Sequence, residues 1–309
     1  MKELKVGVVG VGHHGRQHGR IYRELPGVVL AAVVDSDPET LERVSREWEI
    51  PSCRDYRDVG PEVDAVSIAT PTTSHHEIAS HFLSLGKHVF LEKPMASTVE
   101  EADDLIALAA RNEMVLQIGH VERFNPAIRA LAGLLSDPGF IECHRLSRYN
   151  PRGCDVGVVL DLMIHDIDII LTLVNDGIKS ISAVGVNVLS DSEDIANARI
   201  EFQRGCIANL TASRISFDTM RKIRVFQRDA YISLDYQKQE GLIYRKVNGE
   251  IVRSPVPTEK AEPLKLELES FIESIRSSSR PLVSAEQGKR ALEVVMEIAR
   301  DIRARNAAL

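Results

Sequence analysis

Three glycines and one aspartate near the start of the chain have the types and spacing of a phosphate-binding turn. Gly10, Gly12 and Gly15 follow an apolar segment and precede a helical pattern, and Asp35 ends the next apolar segment. The first glycine permits a tight turn, the second lets a pyrophosphate approach the backbone, and the third lets helix and strand pack closely. The helix N-terminus would attract the anion, and Asp35 would accept hydrogen bonds from a ribose. We therefore predict a dinucleotide site, against the alternative of a plain strand–turn–helix.

The residues that follow Asp35 favour one dinucleotide over the other. Ser36 and Asp37 come next, and no arginine is adjacent in the chain. A phosphate on the ribose would meet negative charge at this point, whereas a free hydroxyl would find an acceptor. The sequence therefore predicts NAD rather than NADP.

Three histidines, His13, His14 and His18, lie in or just after the same turn. Three imidazoles could bind a metal ion, which is the alternative interpretation. At the start of a helix that faces a dinucleotide, we expect them instead to flank the cofactor or to face solvent. We predict no metal site here.

A second group with chemical potential is Glu92-Lys93-Pro94, which comes directly after an apolar segment. Ligands of open α/β sheets bind at the carboxyl ends of the strands, so a lysine at such an end would face the nicotinamide half of a dinucleotide. Pro94 fixes the local backbone and ends strand pairing. The alternative is a capped loop with a solvated lysine, and these three residues alone do not decide between the two.

The third group is Asp161, His165 and Asp168, spaced i, i+4 and i+7 within an otherwise apolar segment. On a helix they would share one face. Such a polar stripe could bind a divalent ion, form an internal hydrogen-bonded core histidine, or catalyse proton transfer. The dinucleotide signature favours the third interpretation, since oxidation of an alcohol needs a base to take the hydroxyl proton.

Two kinds of element must position these groups. Up to about residue 120, continuous apolar runs alternate with helical patterns, of which residues 99–111 are the clearest, and this indicates βαβ units in a parallel sheet. Beyond that point, alternating apolar and polar runs predict a mainly antiparallel sheet with one wetter face. Helices are predicted at 158–174, 264–277 and 285–304. The predicted strands are 5–9, 28–34, 65–69, 88–91, 115–118, 141–148, 181–189, 196–202, 207–213, 223–227 and 230–234.

The overall composition limits the function. The chain has 309 residues, 44% of them hydrophobic and 27% charged, and a net charge of −7. The size favours two domains, and the composition excludes a disordered chain, a collagen-like fibre and a disulfide-stapled miniprotein. A mildly acidic protein binds nucleic acid and anionic membranes poorly, so we expect neither as a partner.

The chain also lacks the signals of export. No apolar run reaches the ~20 residues of a spanning helix, and the first residues do not resemble a signal peptide. Cys53, Cys143, Cys154 and Cys206 are scattered without a paired motif, which suits a reducing compartment. We expect a cytoplasmic protein.

Taken together, these motifs resemble the Gfo/Idh/MocA family of NAD(P)-dependent oxidoreductases over nearly the whole chain. The resemblance implies a Rossmann domain at residues 1–121 and an α+β substrate and oligomerisation domain at residues 122–309. It also implies reversible oxidation of a sugar or cyclitol hydroxyl, in which Lys93 polarises the reacting oxygen and His165 takes its proton. Asp161 would support His165. The resemblance further places Thr70, Pro71, His75 and Glu92 in the cofactor site.

Two longer stretches, residues 119–126 and 155–170, resemble a subgroup that oxidises the 3-hydroxyl of UDP-N-acetylglucosamine. The resemblance implies that a pyridoxal-phosphate aminotransferase acts next and installs an amine for lipid A. A free-sugar or myo-inositol dehydrogenase and a non-catalytic NAD-binding regulator remain the alternatives. We expect a homodimer or homotetramer, because an exposed sheet face often becomes an interface.

Several arginines near the third group bear on this substrate. Arg145, Arg148 and Arg152 precede the predicted helix, and Arg123 lies in the domain linker. Arginine forks suit a diphosphate, and Tyr149 could stack on a uracil. We therefore predict Arg123, Arg148 and Tyr149 as substrate-binding residues, against the alternative of a solvated basic loop.

Overall fold

A computed structural model describes residues 3–149 and 156–307, and the chain divides into two compact units. The first unit contains residues 1–121 and 264–292, and the second contains residues 122–263 and 293–309. The helices, in chain order, are α1 (His13–Glu24), α2 (Pro38–Trp48), α3 (His75–Ser84), α4 (Val99–Arg111), α5 (Pro126–Ala132), α6 (Ile164–Val174), α7 (Pro263–Ser277) and α8 (Ala285–Asn306).

The placement of residues 264–292 differs from the expected division, which assigned everything after residue 121 to the second domain. Leu268, Phe271 and Ile272 of α7 are buried in one hydrophobic cluster with strand residues of the first unit such as Val6 and Phe90. Burial of this apolar helix face stabilises the first unit. Sequence order does not reveal which unit receives such a face.

The first unit is built on a six-stranded parallel sheet in the order β3-β2-β1-β4-β5-β6. Its two halves diverge from the β1–β4 pair, and this order creates the crevice in which doubly wound folds bind dinucleotides. The strands are β1 (Leu4–Val9), β2 (Val28–Val34), β3 (Ser52–Cys53), β4 (Ala65–Ile68), β5 (His88–Glu92) and β6 (Leu116–Gly119).

Local sequence explains where two of the covering helices begin. Asp37 caps α2 by accepting a hydrogen bond from the Thr40 N–H, and a proline occupies the first turn. Thr98 caps α4 by accepting from the N–H of Glu101, whose carboxylate accepts in turn from the Ser97 N–H.

The second unit carries an eight-stranded sheet in the order β14-β13-β12-β11-β7-β10-β9-β8. All neighbouring strands are antiparallel except β7 and β10, which are parallel, so the mainly antiparallel sheet predicted from sequence is confirmed. The strands are β7 (Pro138–Leu146), β8 (Ile178–Val186), β9 (Ile195–Phe202), β10 (Ile207–Ser213), β11 (Met220–Gln227), β12 (Ala230–Asp235), β13 (Glu240–Val247) and β14 (Glu250–Pro255).

The edge hairpin β13–β14 was not predicted from sequence. Its strands are largely exposed, so they lack the apolar alternation that marks β7 to β12. The turn, however, is Asn248-Gly249, and both residues have positive φ, of 50° and 89°. Asn-Gly between two β-rich runs is a strong hairpin signal, and it could have identified these strands.

In the part of the chain that the structure describes, we find no helix whose length and hydropathy would let it cross a bilayer.

Candidate active site

The glycine turn of the first unit connects β1 to α1. Gly10 has φ +83°, which favours glycine, and a Cβ there would lie 2.8 Å from the Ala69 carbonyl oxygen. A Cβ on Gly15 would lie 1.7 Å from the Gly10 carbonyl oxygen, so the helix packs against the turn itself. Gly12, the N-cap residue of α1, has open space where a Cβ would be. Two glycines therefore shape the turn, and the third leaves its surface open.

Asp35 follows β2, and the structure aims its carboxylate at this turn. It accepts hydrogen bonds from the N–H groups of Val11, at 2.8 Å, and Asp37, at 3.0 Å. A cavity of about 630 Å³ opens beside it, lined by Gly10, Gly12, Asp35, Arg54, Thr70 and Pro71. An open glycine surface, a helix N-terminus and a carboxylate around one cavity fit an adenosine diphosphate group.

The structure also brings an arginine to this cavity that the sequence argument missed. Arg54 lies beyond β3, and its guanidinium donates to the Ser36 carbonyl oxygen at 3.3 Å. No arginine is adjacent to Asp35 in the sequence, but the fold brings Arg54 next to Ser36. Arg57, which lines the same cavity, pairs with Asp55 at 2.6 Å, so its charge is compensated there.

The three histidines of α1 do not form one group. His13 and His14 lie at the start of the helix, where burial lowers the pKa of His14 even though Glu92 acts to raise it. His18 is fully buried, with Nδ1 2.7 Å from the Ser67 hydroxyl and Nε2 3.2 Å from the Glu92 carboxylate. The expectation that it flanks the cofactor or faces solvent is therefore wrong for His18. No metal-binding group of His, Cys, Asp or Glu occurs among the described residues.

His75 connects two loops at the carboxyl ends of β4 and β5. One ring nitrogen lies 2.9 Å from the Thr70 carbonyl oxygen, and the other lies 2.8 Å from the Pro94 carbonyl oxygen. The ring is almost completely buried, and burial lowers its pKa although both carbonyls act to raise it. Because both nitrogens face the backbone, His75 orders the loops that carry Thr70 and Lys93, and its ring does not offer a direct cofactor contact.

Glu92, the last residue of β5, is the most strongly perturbed carboxylate near these loops. Burial alone would raise its pKa, but His18, His14 and Lys93 together lower the pKa to about 2. Its Oε2 accepts a hydrogen bond from the Lys93 N–H at 3.2 Å, directly before the cis bond between Lys93 and Pro94. The structure thus holds an ionised carboxylate and a half-buried lysine at the end of a central strand.

In the second unit, Asp161 and His165 lie where a π-helical turn, Val159–Met163, passes into α6. Both side chains are half-buried, whereas Asp168 is buried and pairs with Arg123 at 3.3 Å. The predicted polar face is therefore divided, because Asp168 pairs with Arg123 in the interior. Asp161 and His165 stay partly exposed near the start of the helix, and Asp168 lies in the interior.

The predicted arginine cluster is largely structural. Arg123 is buried and donates to Asp168 and Thr172 on α6, so it is not available to a diphosphate as predicted. Arg145 is also buried. Arg148 is exposed and donates to the Phe217 carbonyl oxygen at 2.9 Å, and Tyr149 is 42% exposed. Arg152, like Cys154, lies outside the described residues.

Sequence reasoning missed the network that buries Arg145 under α6. Its guanidinium lies 3.0 Å from Asp166 and 3.1 Å from Glu122, and the Tyr236 hydroxyl donates to Asp166 at 2.5 Å. Burial alone would lower the pKa of Arg145, but Asp166, Tyr236 and Glu122 raise it well above its usual value. These partners are far apart in the chain, so only the fold could reveal them.

Glu193 contacts the turn that leads into α6, and residue spacing could not reveal this contact. Its carboxylate accepts from the Val159 N–H at 3.3 Å, and its carbonyl oxygen accepts from the Val158 N–H at 3.0 Å. A Cβ on Gly157 would lie 1.9 Å from the same carboxylate. Glu193 therefore caps the helix N-terminus that leads to Asp161, and Gly157 makes room for it.

Comparison with known proteins agrees with this geometry. Residues 4–120 match the family described as oxidoreductase family, NAD-binding Rossmann fold, and residues 133–233 match the Gfo/Idh/MocA C-terminal domain. The chain therefore belongs to the Gfo/Idh/MocA family of oxidoreductases. This confirms the predicted fold class and the predicted NAD-dependent enzyme.

Individual relatives fall into two groups. The UDP-N-acetylglucosamine 3-dehydrogenase of Acidithiobacillus ferrooxidans is 36% identical over 96% of this chain and 97% of its own length. A solved structure of that enzyme matches 98% of this chain and 99% of its own, with a TM-score of 0.92. The scyllo-inositol 2-dehydrogenase of Bacillus subtilis is 27% identical over 91% of this chain and 89% of its own. Levoglucosan dehydrogenase in complex with NADH and levoglucosan shares the fold, with a TM-score of 0.90 at 20% identity and 98% coverage of each chain.

Proposed function

We propose that this enzyme oxidises the 3-hydroxyl of UDP-N-acetylglucosamine to a ketone, with NAD as cofactor. One observation carries this choice of substrate: the relative with that activity in its name is 36% identical over 96% of the chain. The inositol dehydrogenases of Bacillus subtilis and Thermotoga maritima are 27% and 24% identical. Fold alone does not determine a substrate, so the proposal rests on this difference and on the site.

The chain's own residues divide the reaction between them. NAD, when bound, supplies the acceptor for a hydride. His165 takes the hydroxyl proton, which its half-buried position at the start of α6 permits, and Asp161 supports the imidazole. Lys93 positions the reacting oxygen and polarises it.

The cofactor is held by the glycine turn and by the strand ends beside it. Gly10, Gly12 and Gly15 form the phosphate-binding surface, His13 and His14 flank it, and Asp35 accepts from the ribose. Thr70, Pro71 and Glu92 lie at the carboxyl ends of β4 and β5. In this sheet order, those two strands receive the nicotinamide half.

Arg148 and Tyr149 are the residues we assign to the UDP group. Both are exposed and adjacent at the end of β7, and an arginine with an aromatic ring suits a diphosphate and a base. An Arg148→Ala variant should lose affinity for nucleotide sugars alone. An unchanged KM for the nucleotide sugar would remove Arg148 from the site.

The decisive experiment is a substrate panel. Purified enzyme and NAD are mixed with UDP-N-acetylglucosamine, other UDP-sugars, myo-inositol and free hexoses, and NADH is followed with an aminotransferase present to consume the ketone. We expect NADH from UDP-N-acetylglucosamine only. Turnover of myo-inositol or a free hexose instead would favour the first alternative. Binding of NAD without NADH from any sugar would favour a regulator, and full turnover by Lys93→Met would remove the role of that lysine.

Three further proposals concern the enzyme's surroundings. A pyridoxal-phosphate aminotransferase would consume the ketone, as the resemblance of residues 119–126 and 155–170 to UDP-N-acetylglucosamine 3-dehydrogenases implies. The enzyme would act in the cytoplasm, since Cys53, Cys143 and Cys206 are free thiols. It would also assemble as a homodimer or homotetramer.

The outer face of the second sheet supports the proposed assembly. An aromatic ladder crosses three strands, with Phe226 and Tyr231 stacked at 4.7 Å and Tyr231 and Tyr244 stacked at 5.2 Å. Phe226 is 39% exposed. An exposed apolar sheet face of this kind is commonly covered by a second copy of the chain in a dimer. A monomeric mass in solution by light scattering would exclude this proposal.

A further inference from the structure

A buried histidine lies beneath the strand ends of the first unit, outside the residues that the proposed reaction uses. His18 is fully buried on α1 and makes an edge contact with the ring of Phe90 on β5, with centroids 5.3 Å apart. One ring nitrogen lies 2.7 Å from the Ser67 hydroxyl, and the other lies 3.2 Å from the Glu92 carboxylate. A histidine with two polar partners in the interior is a built feature and not a solvated side chain.

The consequence for Glu92 is a fixed charge. The carboxylate lies 3.2 Å from His18 Nε2, and this proximity favours its ionised form. Together with His14 and Lys93, this contact holds the pKa of Glu92 at about 2 despite its burial. The carboxylate also packs where Gly119 of β6 has no side chain, because a Cβ there would lie 3.0 Å from it. Three elements therefore define the position of one negative charge.

The negative charge of Glu92 lies at the end of the sheet where the nicotinamide half of a dinucleotide is expected. Glu92 ends β5, and β5 neighbours β4 in an order that directs the nicotinamide half of a dinucleotide to these two strand ends. The nicotinamide ring is cationic in NAD⁺ and neutral in NADH, while the rest of the molecule carries the same charge in both. A fixed carboxylate at this end therefore acts on one redox form and not on the other.

We propose that the His18–Glu92 pair sets the relative affinity of the enzyme for NAD⁺ and NADH, by holding an ionised carboxylate at the nicotinamide end. Lys93, which follows Glu92, would increase the change in relative affinity that removal of the Glu92 carboxylate causes. Without the carboxylate, the lysine's positive charge opposes the cationic ring and leaves the neutral ring untouched. The pair thus favours the oxidised cofactor, which is the form that a dehydrogenase must load.

The test compares the dissociation constants of the two cofactors in the absence of any sugar, by titration calorimetry near neutral pH. In Glu92→Gln, the ratio of the NAD⁺ constant to the NADH constant should rise about tenfold over that of the wild type, as expected for losing one partly screened unit charge. In Glu92→Asp the ratio should stay close to that of the wild type. In His18→Gln the ratio should rise as the pH falls, because Glu92 then loses one of the groups that lower its pKa.

The matched control is Glu100→Gln, which removes the same charge from an exposed position on α4 of the same unit. It should leave the ratio unchanged. Thermal unfolding of each variant identifies any that does not fold, and His18→Gln and Glu92→Asp test the proposal independently of Glu92→Gln. An unchanged ratio in Glu92→Gln, or an equal loss of affinity for both redox forms, would overturn the proposal. Because no sugar is present, neither result depends on the proposed substrate.

Discussion

The two units of this enzyme differ in how their carboxylates are partnered. In the first unit, Asp35 and Glu92 are oriented by backbone N–H groups and one histidine, and no arginine among the described residues forms an ion pair with either of them. In the second unit, Arg145 neutralises Asp166 and Glu122, and Arg123 pairs with Asp168, all in the interior. The carboxylates of the first unit are thus left without an arginine partner among the described residues, and those of the second unit are paired against α6.

The local backbone explains this difference. The first unit presents regular strands and a glycine turn, so the groups that we propose to bind the cofactor are positioned by the sheet itself. In the second unit, a π-helical turn precedes α6, and the regular hydrogen-bond pattern is interrupted just where Asp161 and His165 must be placed. Ion pairs on both sides of α6 supply the positioning that the backbone does not.

Among the variants that test this comparison, removal of the proposed base should have the largest effect, on kcat. His165→Asn should lower kcat about a thousandfold, within the range typical of general base catalysis, while the affinity for NAD remains that of the wild type. The first unit alone would then account for cofactor binding. Steady-state kinetics with UDP-N-acetylglucosamine and calorimetry with NAD measure the two quantities. A kcat within tenfold of the wild type, roughly 1.4 kcal/mol, would remove the role of His165.

The ion-pair network of the second unit should be the next most sensitive feature. Arg145→Met leaves two buried carboxylates without their cation and should lower the free energy of unfolding by about 3 kcal/mol or more. The matched control is Arg224→Met on β11, whose pair with Glu142 is partly exposed and should contribute less than about 1 kcal/mol. Urea unfolding measures both. Equal losses in the two variants would contradict the assignment of a structural role to Arg145.

The depressed pKa of Glu92 predicts a pH-dependent stability in the first unit. Its pKa is about 2 in the folded chain against a usual 4.5, so its ionisation stabilises the fold fully above pH about 4.5. This contribution, on the order of 3 kcal/mol, is lost as the pH falls from about 4.5 towards 2. The difference in unfolding free energy between wild type and Glu92→Gln should therefore shrink on acidification. A difference that is constant with pH would show that Glu92 is not held ionised.

Two glycines of the same turn should respond differently to one added methyl group. Gly15→Ala would place a Cβ against the Gly10 carbonyl oxygen and should cost about 2 kcal/mol of stability. Gly12→Ala enters open space, so stability should change by less than about 0.5 kcal/mol while NAD binding weakens. Unfolding curves and NAD titrations separate the two. Loss of stability in Gly12→Ala would contradict a role limited to ligand approach.

The smallest expected effect concerns the choice between NAD and NADP. Asp35→Ser should weaken NAD about tenfold, through the loss of a charged hydrogen-bond acceptor, and should strengthen NADP because Arg54 lies at Ser36. The double variant Asp35→Ser/Arg54→Ala should lose the gain for NADP. If NADP binding stays unimproved in the single variant, Arg54 does not reach the ribose phosphate.

Most of the first unit could be predicted from sequence because its signals are local. The glycine spacing, the acidic residue at the end of β2 and the lysine after β5 each act within a few residues of a strand end. His18 of α1 was misplaced because its partners, Ser67 on β4 and Glu92 on β5, are distant in the chain. Arg54 was missed for the same reason, since only the fold brings it to Ser36.

The second unit was predictable in class but not in its interior. Alternation identified the antiparallel strands, whereas Arg123 and Arg145 read as a basic surface because their carboxylate partners are 21 to 45 residues away. Burial of a charge depends on contacts of that range, which periodicity does not encode. The burial of Asp168, apart from Asp161 and His165, depended on its pair with Arg123, which is 45 residues away in the chain.

The central claim, that this enzyme removes a hydride from carbon 3 of UDP-N-acetylglucosamine, can be tested by following the hydrogen itself. The substrate is prepared with deuterium at carbon 3, and the NADH formed in a single turnover is analysed by mass spectrometry. The account predicts one deuterium in the reduced nicotinamide from wild-type enzyme. NADH that contains no deuterium, although carbon 3 was labelled, would contradict it.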